Sequence, residues 1–443
     1  RSTQAKTLFP YTTLFRSRMQ GVIIAYMLTV ALLIPASGWI ADRFGTRKIF
    51  FGAILLFSIG SLLCALSTSL TLLIGARVIQ GLGGALMLPV GRLVVLRAYP
   101  RSELVRIMGF ITIPGLLGPL IGPTMGGWMV EYLTWHWIFL INLPVGMIGC
   151  YAVWKLIPDL RGSERTRFDG IGFLLFGAAM VLITIAMEGL GELHLPHLRV
   201  MLLLFGGLAC LAAYWLRAGH VDNPLFPPTL FKTRTFAVGI LGNLFARLGS
   251  GALPFLVPLL LQVALGYSPS QAGMSMLPLA AAAMVAKSVA RPLIERLGYR
   301  VVLTGNTLAL GLMLASMGLV SEQTPYPLLL AMLAVLGAIN SLQFTAMNTV
   351  TLIDLDDASA SSGNSLLSVV AQLSLSLGVA CAGALLGGFT AKVGNDGVET
   401  VLGAFQLTFV TVGIMAMLAA TIFSQLSKED GRRVKRPEQH IEP

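Results

Sequence analysis

The chain has 443 residues, of which 55% are apolar and only 12% are charged, and its formal net charge is +11. A soluble protein carries about twice that share of charged residues. Composition therefore excludes an ordinary soluble protein, and apolar runs of about 20 residues along the whole length indicate membrane-spanning helices. Because the basic residues sit in short loops, we interpret the positive charge as a membrane-orientation signal and not as a nucleic-acid-binding surface.

Apolar helices joined by short connections of Gly, Pro, Asn and Asp are predicted in chain order. Residues 1–17 read like a translated sequencing adapter, and we exclude this tail from the fold prediction. The thirteen predicted helices cover residues 19–40, 49–68, 71–96, 104–130, 137–157, 170–188, 198–217, 236–263, 269–290, 301–320, 326–350, 362–388 and 401–424.

The loops between these helices alternate in charge, and this alternation predicts their orientation. One set of loops is rich in Lys and Arg, whereas the other set carries little beyond Arg199 and Lys392. The positive-inside rule places the rich set, and the basic tail 426–443, in the cytoplasm. The rich set holds Arg43, Arg47, Lys48, Arg97, Arg101, Arg106, Lys155, Arg161, Arg165, Arg167, Lys232, Arg234, Arg296 and Arg300.

A charged turn of the pattern acid-Arg-x-Gly-x-Arg occurs twice between apolar helices, and its two copies predict an internal repeat. Helix 236–263 precedes the helix that leads into the second copy, whereas no helix precedes 19–40 in the first half. The repeat therefore predicts a natural protein of fourteen helices whose first helix is absent from this sequence. The first copy contains Gly38, Asp42, Arg43, Gly45 and Arg47, and the second contains Glu295, Arg296, Gly298 and Arg300.

The repeat also predicts an all-α membrane bundle of two six-helix halves and two central extra helices. Repeated helical halves with a site at their interface are typical of secondary transporters. The predicted divisions are the artefactual tail 1–17, an N-terminal half 18–157, two linker helices with their loops in 158–235, a C-terminal half 236–425 and a cytoplasmic basic tail 426–443.

Polar side chains inside the apolar helices are candidates for a transport path, because a charge at mid-bilayer costs about 2.5–3.5 kcal/mol on insertion scales. Arg77, Gln80, Arg247, Asn340 and Gln343 form this set. Each arginine has an alternative role as a structural residue that binds carbonyls of a neighbouring helix. Arg92 and Lys287 lie near the inner helix ends, and for them we expect snorkelling to the membrane surface. No convincing proton-carrying carboxylate lies in the predicted spans.

Helix 104–130 is rich in glycine and proline, with Gly118, Gly122, Pro123, Gly126 and Gly127 in its second half. Glycines at this spacing let helices approach closely, and proline bends the helix. The pattern predicts a bent, tightly packed helix, either as plain packing or at a moving interface.

These motifs together resemble the major facilitator superfamily. The stretch from Gly38 to Arg47 resembles its loop signature, Arg77 to Gly84 its fourth-helix signature, and Gly118 to Gly127 its antiporter signature. The stretch Trp135 to Pro144 and the central helix pair resemble the fourteen-helix drug:proton antiporters. The resemblance spans residues 19–425.

The resemblance implies export of small, lipophilic or drug-like molecules in exchange for protons, by alternating access across a bacterial inner membrane. It also implies a monomer in the lipid bilayer and an inner gate at the charged turns. We expect Asp42 to face the N-terminus of helix 362–388, near Ser361, Ser362 and Asn364, and Glu295 to face the start of helix 104–130.

Two other membrane functions and an enzymatic one are alternatives to this interpretation. The first is export or facilitated passage of an endogenous metabolite or organic anion, and the second is a non-transporting membrane sensor or scaffold. An enzyme is disfavoured, because His194 and His197 lack a third metal ligand and no phosphate-binding loop follows a strand. The cysteines Cys64, Cys150, Cys210 and Cys381 lie singly in apolar runs, so we expect no disulfide, metal or cofactor.

Overall fold

The computed structural model describes residues 21–100, 103–108, 133–162, 167–190, 196–393 and 398–430, together with residues 118, 122, 125 and 129. Every regular element within these residues is a helix, and eleven of the helices in this part of the chain are long and apolar enough to cross a membrane. Many large apolar side chains on them are exposed, including Val145, Ile148 and Leu216. Such a surface fits contact with lipid chains, because in a bilayer the backbone is satisfied within the helix and the apolar side chains face outward.

Six helices belong to the first of two compact units, which comprises the described residues of 1–94, 125–228 and 364–376. They are α1 (Gly21–Phe44), α2 (Thr46–Ala65), α3 (Leu70–Ala98), α4 (Trp137–Leu156), α5 (Gly170–Leu190) and α6 (His197–Ala218). Helix α1 contains a 3₁₀ turn at Ile34–Ala36, and the last four residues of α3 group with the second unit.

The second unit comprises the described residues of 95–124, 229–363 and 377–443. Its helices are α7 (Arg234–Ala264), α8 (Ser270–Met317), α9 (Tyr326–Leu352), α10 (Asp357–Val393) and α11 (Val398–Leu418). The stretch 364–376 of α10 groups with the first unit. An apolar core that includes Leu256, Leu314, Leu333 and Phe409 joins these helices.

Twelve of the predicted helices have counterparts among the eleven observed spans. The prediction of separate helices at 269–290 and 301–320 is confirmed, because α8 consists of two helical runs that meet at Gly298, where the backbone leaves helical geometry. The first run also contains a turn at Met276. The predicted helix 104–130 lies largely outside the described residues, although residues 104–108 are helical. The predicted domain boundaries stay predictions.

Candidate functional site

The first charged turn reverses the chain at a single glycine. Helix α1 ends at Phe44, and Gly45 adopts φ 94° and ψ 141°, a conformation that is essentially restricted to glycine. The Gly45 N–H donates to the Ala41 carbonyl at 2.9 Å, and α2 starts at the next residue. A Cβ at Gly45 would also lie 2.9 Å from Cγ of Asp159. Both the dihedral angle and the space therefore require glycine here.

The segment 158–162, which follows α4, packs on this turn. The Thr46 N–H donates to the Leu160 carbonyl at 2.8 Å, and the Leu160 N–H donates to Thr46 Oγ1 at 3.1 Å. The Gly162 N–H lies 3.4 Å from the Asp42 carbonyl. We call residues 158–162 the strap. The sequence offered no signal for it, because its contacts join residues more than 100 positions apart.

The charged residues of the first turn lie on different sides of it. Gly38 is buried in α1, Asp42 is half-buried and Arg43 is exposed. Arg47 places its guanidinium 5.7 Å from the ring centroid of Trp154, within cation–π range. The expected position of Asp42 at the N-terminus of α10 stays a prediction.

The second charged turn repeats the backbone of the first within the second unit. Gly298 has φ 80° and ψ 161°, close to the values at Gly45. Arg291 donates to Glu295 at 2.7 Å and to Glu103 at 3.4 Å. Glu295 is therefore connected through Arg291 to the start of the helical residues 104–108. Arg296 is exposed and Arg300 half-buried.

Hydrogen bonds hold residues 364–376 of α10 within the first unit. The hydroxyls of Ser37 and Ser365 are 2.9 Å apart, and Asn364 donates to the Pro89 carbonyl at 2.7 Å. The Arg92 guanidinium lies 3.5 Å from Asn364 Oδ1 and 3.4 Å from Ser368 Oγ. The expectation that Arg92 snorkels is wrong, because Arg92 is 5% exposed and its charged group binds these buried polar atoms.

Arg77 and Gln80 form one network with groups from α1, α2 and α4. Arg77 donates to Gln80 Oε1 at 2.6 Å and to the Val22 carbonyl at 3.3 Å, and its guanidinium lies 4.5 Å from the ring centroid of Tyr26. Gln80 donates to Ser61, which also accepts from Asn142 at 3.2 Å. Gln80 is buried, whereas Arg77 keeps part of its surface exposed. The bond to the Val22 carbonyl fits the structural role considered for Arg77. Its accessible surface leaves the transport-path role as a prediction.

Glycines around this network let α3 approach its neighbours. A Cβ on Gly60 would meet the backbone of Gln80 at 2.5 Å, and one on Gly83 would meet the α2 backbone at the same distance. A Cβ on Gly84 would lie 2.6 Å from the Tyr26 hydroxyl. The glycines of the Arg77–Gly84 stretch therefore serve close helix packing.

Arg247 lies in a second network, between α7 and α9. It is 2% exposed, and it donates to Asn243 Oδ1 at 2.9 Å and to Asn348 Oδ1 at 3.0 Å. Its guanidinium lies 4.0 Å from the ring centroid of Phe344, and Asn243 in turn donates to Thr351 at 3.2 Å. The four-residue spacing of Asn243 and Arg247 on one helix face was the signal that could have predicted this pair.

Gln343 and Asn340 lie one turn apart on α9 but differ in their partners. Gln343 donates to Thr307 at 2.8 Å and accepts from Asn306 at 2.9 Å. Asn340 is 9% exposed, and its Oδ1 has no hydrogen-bond partner among the residues that the structure describes. A buried amide oxygen without a partner is a candidate contact for a bound molecule.

The glycine-rich motif is described only in part. Gly118 and Gly122 are helical, and a Cβ built on either meets no described atom within 4 Å. The predicted close approach at these two positions stays a prediction. Pro123, Gly126 and Gly127 lie outside the described residues, as does His194. In the described part of the chain no three His, Cys, Asp or Glu side chains group as a metal site.

The comparison with known proteins agrees with this architecture. The sequence profile of the Major Facilitator Superfamily matches residues 13–379 and 239–442. "Putative multidrug resistance protein MdtD" of Pectobacterium carotovorum subsp. carotovorum (strain PC1) is 46% identical over 408 residues, which are 92% of this chain and 87% of that protein. The protein of the same description from Yersinia enterocolitica serotype O:8 / biotype 1B is 45% identical over 414 residues, covering 94% of this chain and 88% of the relative.

Two solved structures share the fold at low sequence identity. The proton:xylose symporter XylE matches with a TM-score of 0.65 at 13% identity, over 95% of this chain and 88% of that one. The human organic anion transporter MFSD10 matches with a TM-score of 0.64 at 15% identity, over 91% and 83%. The chain therefore belongs to the major facilitator superfamily, and it is a multi-pass membrane transporter rather than an enzyme.

Proposed function

We propose that the protein exports small, lipophilic or drug-like molecules in exchange for protons by alternating access. The observation that carries the proposal is the pair of glycine-broken turns at Gly45 and Gly298, which share one backbone geometry at the two copies of the charged motif. Residues at helix ends that absorb a change of φ and ψ act as hinges in many switching proteins, and we propose this role for both turns.

The substrate class is supported by the relatives and by the buried polar groups. The MdtD proteins, which match over nine-tenths of the chain, are described as putative multidrug resistance proteins. Gln80, Asn340 and Gln343 are uncharged amides buried in largely apolar helices. A few polar groups in an apolar setting suit lipophilic ligands.

Proton exchange is supported by the resemblance of the sequence to the fourteen-helix drug:proton antiporters. We further propose that the protein works as a monomer in a bacterial inner membrane, with its basic C-terminal tail in the cytoplasm, where short loops rich in Lys and Arg are retained.

An organic anion is the second candidate substrate, and Arg247 and Arg77 favour it. Both carry a guanidinium inside a helix of membrane-spanning length. Arg247 is the weaker of the two as a ligand-binding group, because its donors already bind Asn243 and Asn348.

Purified protein in sealed vesicles, with an imposed pH gradient and no ATP, tests the proposal. One arm follows a lipophilic fluorescent dye, a second arm follows a fluorescent organic anion, and a pH indicator follows protons in both. The proposal predicts dye movement with matching proton movement in the opposite direction. Dye movement without protons would indicate facilitated passage, and movement of the anion alone would replace the substrate class.

A further inference from the structure

The carboxylate of Asp169 joins three chain segments of the first unit. Asp169 precedes α5, and its Oδ1 accepts from the Gly172 N–H at 2.9 Å, which is the geometry of an N-terminal cap. The same oxygen accepts from Arg217 at the end of α6 at 2.7 Å. Its Oδ2 accepts from the Leu225 N–H at 3.3 Å. The side chain of Asp169 is 2% exposed, so these bonds lie away from water.

The third of these segments leads from the first unit to the second. Residues 219–228 follow α6, and the second unit begins at residue 229. We call residues 219–228 the connector. The buried Tyr214 hydroxyl accepts from the Phe226 N–H at 2.6 Å and donates to the Phe226 carbonyl at 3.2 Å. The connector is therefore fixed at two successive residues, Leu225 by Asp169 and Phe226 by Tyr214.

The residue before Asp169 contacts the helix that carries the first charged turn. The ring of Phe168 lies 4.7 Å from the ring of Trp39, centroid to centroid. Trp39 belongs to the charged-turn motif and also makes an edge contact with Phe44, the last residue of α1. One α5 glycine faces α1 as well, since a Cβ on Gly177 would lie 2.7 Å from Leu32.

From these contacts we infer that Asp169 is a positioning residue for the inner gate. Its carboxylate fixes the connector and the ends of α5 and α6, and the neighbouring Phe168 transmits this position to Trp39 and the turn at Gly45. The inference rests on the proposed alternating-access function, because an inner gate opens and closes only during a transport cycle. The role of the two extra helices, α5 and α6, is then to hold the charged turn at Gly45 in a fixed position.

Hydrogen exchange of the purified protein tests this role without any substrate. Asp169→Asn keeps the shape of the side chain but removes the charge that holds Arg217. We expect the amides of residues 37–48 to exchange about tenfold faster in this variant, which is the effect of losing one charge-assisted hydrogen bond. Asp222→Asn is the matched control, because it removes the same charge from an exposed position of the same connector. In the control we expect unchanged exchange.

Two further variants separate positioning from general loosening. Trp39→Leu removes the ring contact but leaves the ion pair, so we expect it to speed exchange at residues 37–48 and not at the connector. In the combined Asp169→Asn and Trp39→Leu variant, we expect the amides of residues 37–48 to exchange at the rate of the faster single variant. The two effects should not add, because both substitutions break the same chain of contacts. If Asp169→Asn does not fold, Arg217→Lys is measured in its place. It keeps the charge but changes the geometry of the bond to Asp169, and we expect faster exchange at residues 37–48 in this variant as well.

The result that would overturn the inference is faster exchange in residues 170–218 with unchanged exchange in residues 37–48. Transport adds a second readout in the vesicle assay. Asp169→Asn should lower kcat with an unchanged KM, because the substrate contacts are retained while the gate is misplaced. A raised KM with unchanged kcat would contradict the positioning role. If the protein moves no tested substrate, the exchange result still stands, so the two proposals fail separately.

Discussion

Gly45 and Gly298 interrupt their helices with nearly the same backbone geometry, φ 94° and ψ 141° at the first and φ 80° and ψ 161° at the second. Each follows an acidic residue and an arginine and precedes another arginine. Residues that carry a Cβ rarely adopt these φ and ψ angles, so both positions require glycine, although they lie far apart in the sequence.

Alanine at Gly45 and alanine at Gly298 should each destabilise the protein more than alanine at an ordinary helical glycine. Both substitutions force a Cβ into a positive-φ conformation, at a cost of roughly 1–3 kcal/mol. Gly45→Ala adds a steric contact with Asp159. Gly52→Ala is the control, because Gly52 is helical and a Cβ there meets no described atom within 4 Å. Thermal unfolding in detergent measures the order, and equal losses in all three variants would contradict it.

A disulfide between positions 37 and 365 should stop transport reversibly. The Ser37 and Ser365 hydroxyls are 2.9 Å apart, so we expect cysteines at both positions to form a disulfide on oxidation. In a background without the four native cysteines, oxidation is expected to abolish dye export and reduction to restore it, because we expect this contact to separate when the inner gate opens. Each single cysteine variant is the control. Full export by the cross-linked protein would show that the contact need not break.

Asn340→Ala and Gln343→Ala should differ in stability although they lie one turn apart. Gln343→Ala removes two buried hydrogen bonds and should cost about 1–3 kcal/mol. Asn340 Oδ1 has no partner in the described part of the chain, so truncation there should cost less but raise KM for the exported dye. Thermal unfolding and initial export rates measure both effects. If Asn340→Ala leaves KM unchanged, the amide has no role in substrate binding.

Arg77→Ala should lower both stability and export. The substitution leaves Val22 and Gln80 without the donor they accept from, at about 1–3 kcal/mol. Arg77→Lys should recover only part of this, because an ammonium cannot replace a guanidinium that binds two acceptors and stacks on Tyr26. Export measured across a range of pH separates the roles. Unchanged export and unchanged pH dependence in Arg77→Ala would make the residue purely structural.

Local patterns in the sequence predicted the helices well, because apolar runs of membrane-spanning length are strong signals. The break between 290 and 301 was predicted and lies at Gly298, but the first helix continues through Pro292 and Glu295, which had suggested an earlier end. Contacts between residues that are distant in the chain could not be predicted from these local patterns. The strap 158–162, the partners of Arg92 and the connector contacts of Asp169 all join residues distant in the chain. Asp169 before an apolar run did carry one local signal, that of a helix cap.

Asp42→Asn is the change that tests the account most directly, with Arg43→Ala beside it as the second gate variant. Asp42 lies in the first charged turn, with its backbone carbonyl facing the strap. The measurement is dye export with simultaneous proton movement, in vesicles that hold equal amounts of inserted wild-type and variant protein. The account predicts that the wild-type protein exchanges dye for protons and that Asp42→Asn inserts normally but exports nothing. Export by Asp42→Asn at the wild-type rate would contradict a gate at this turn.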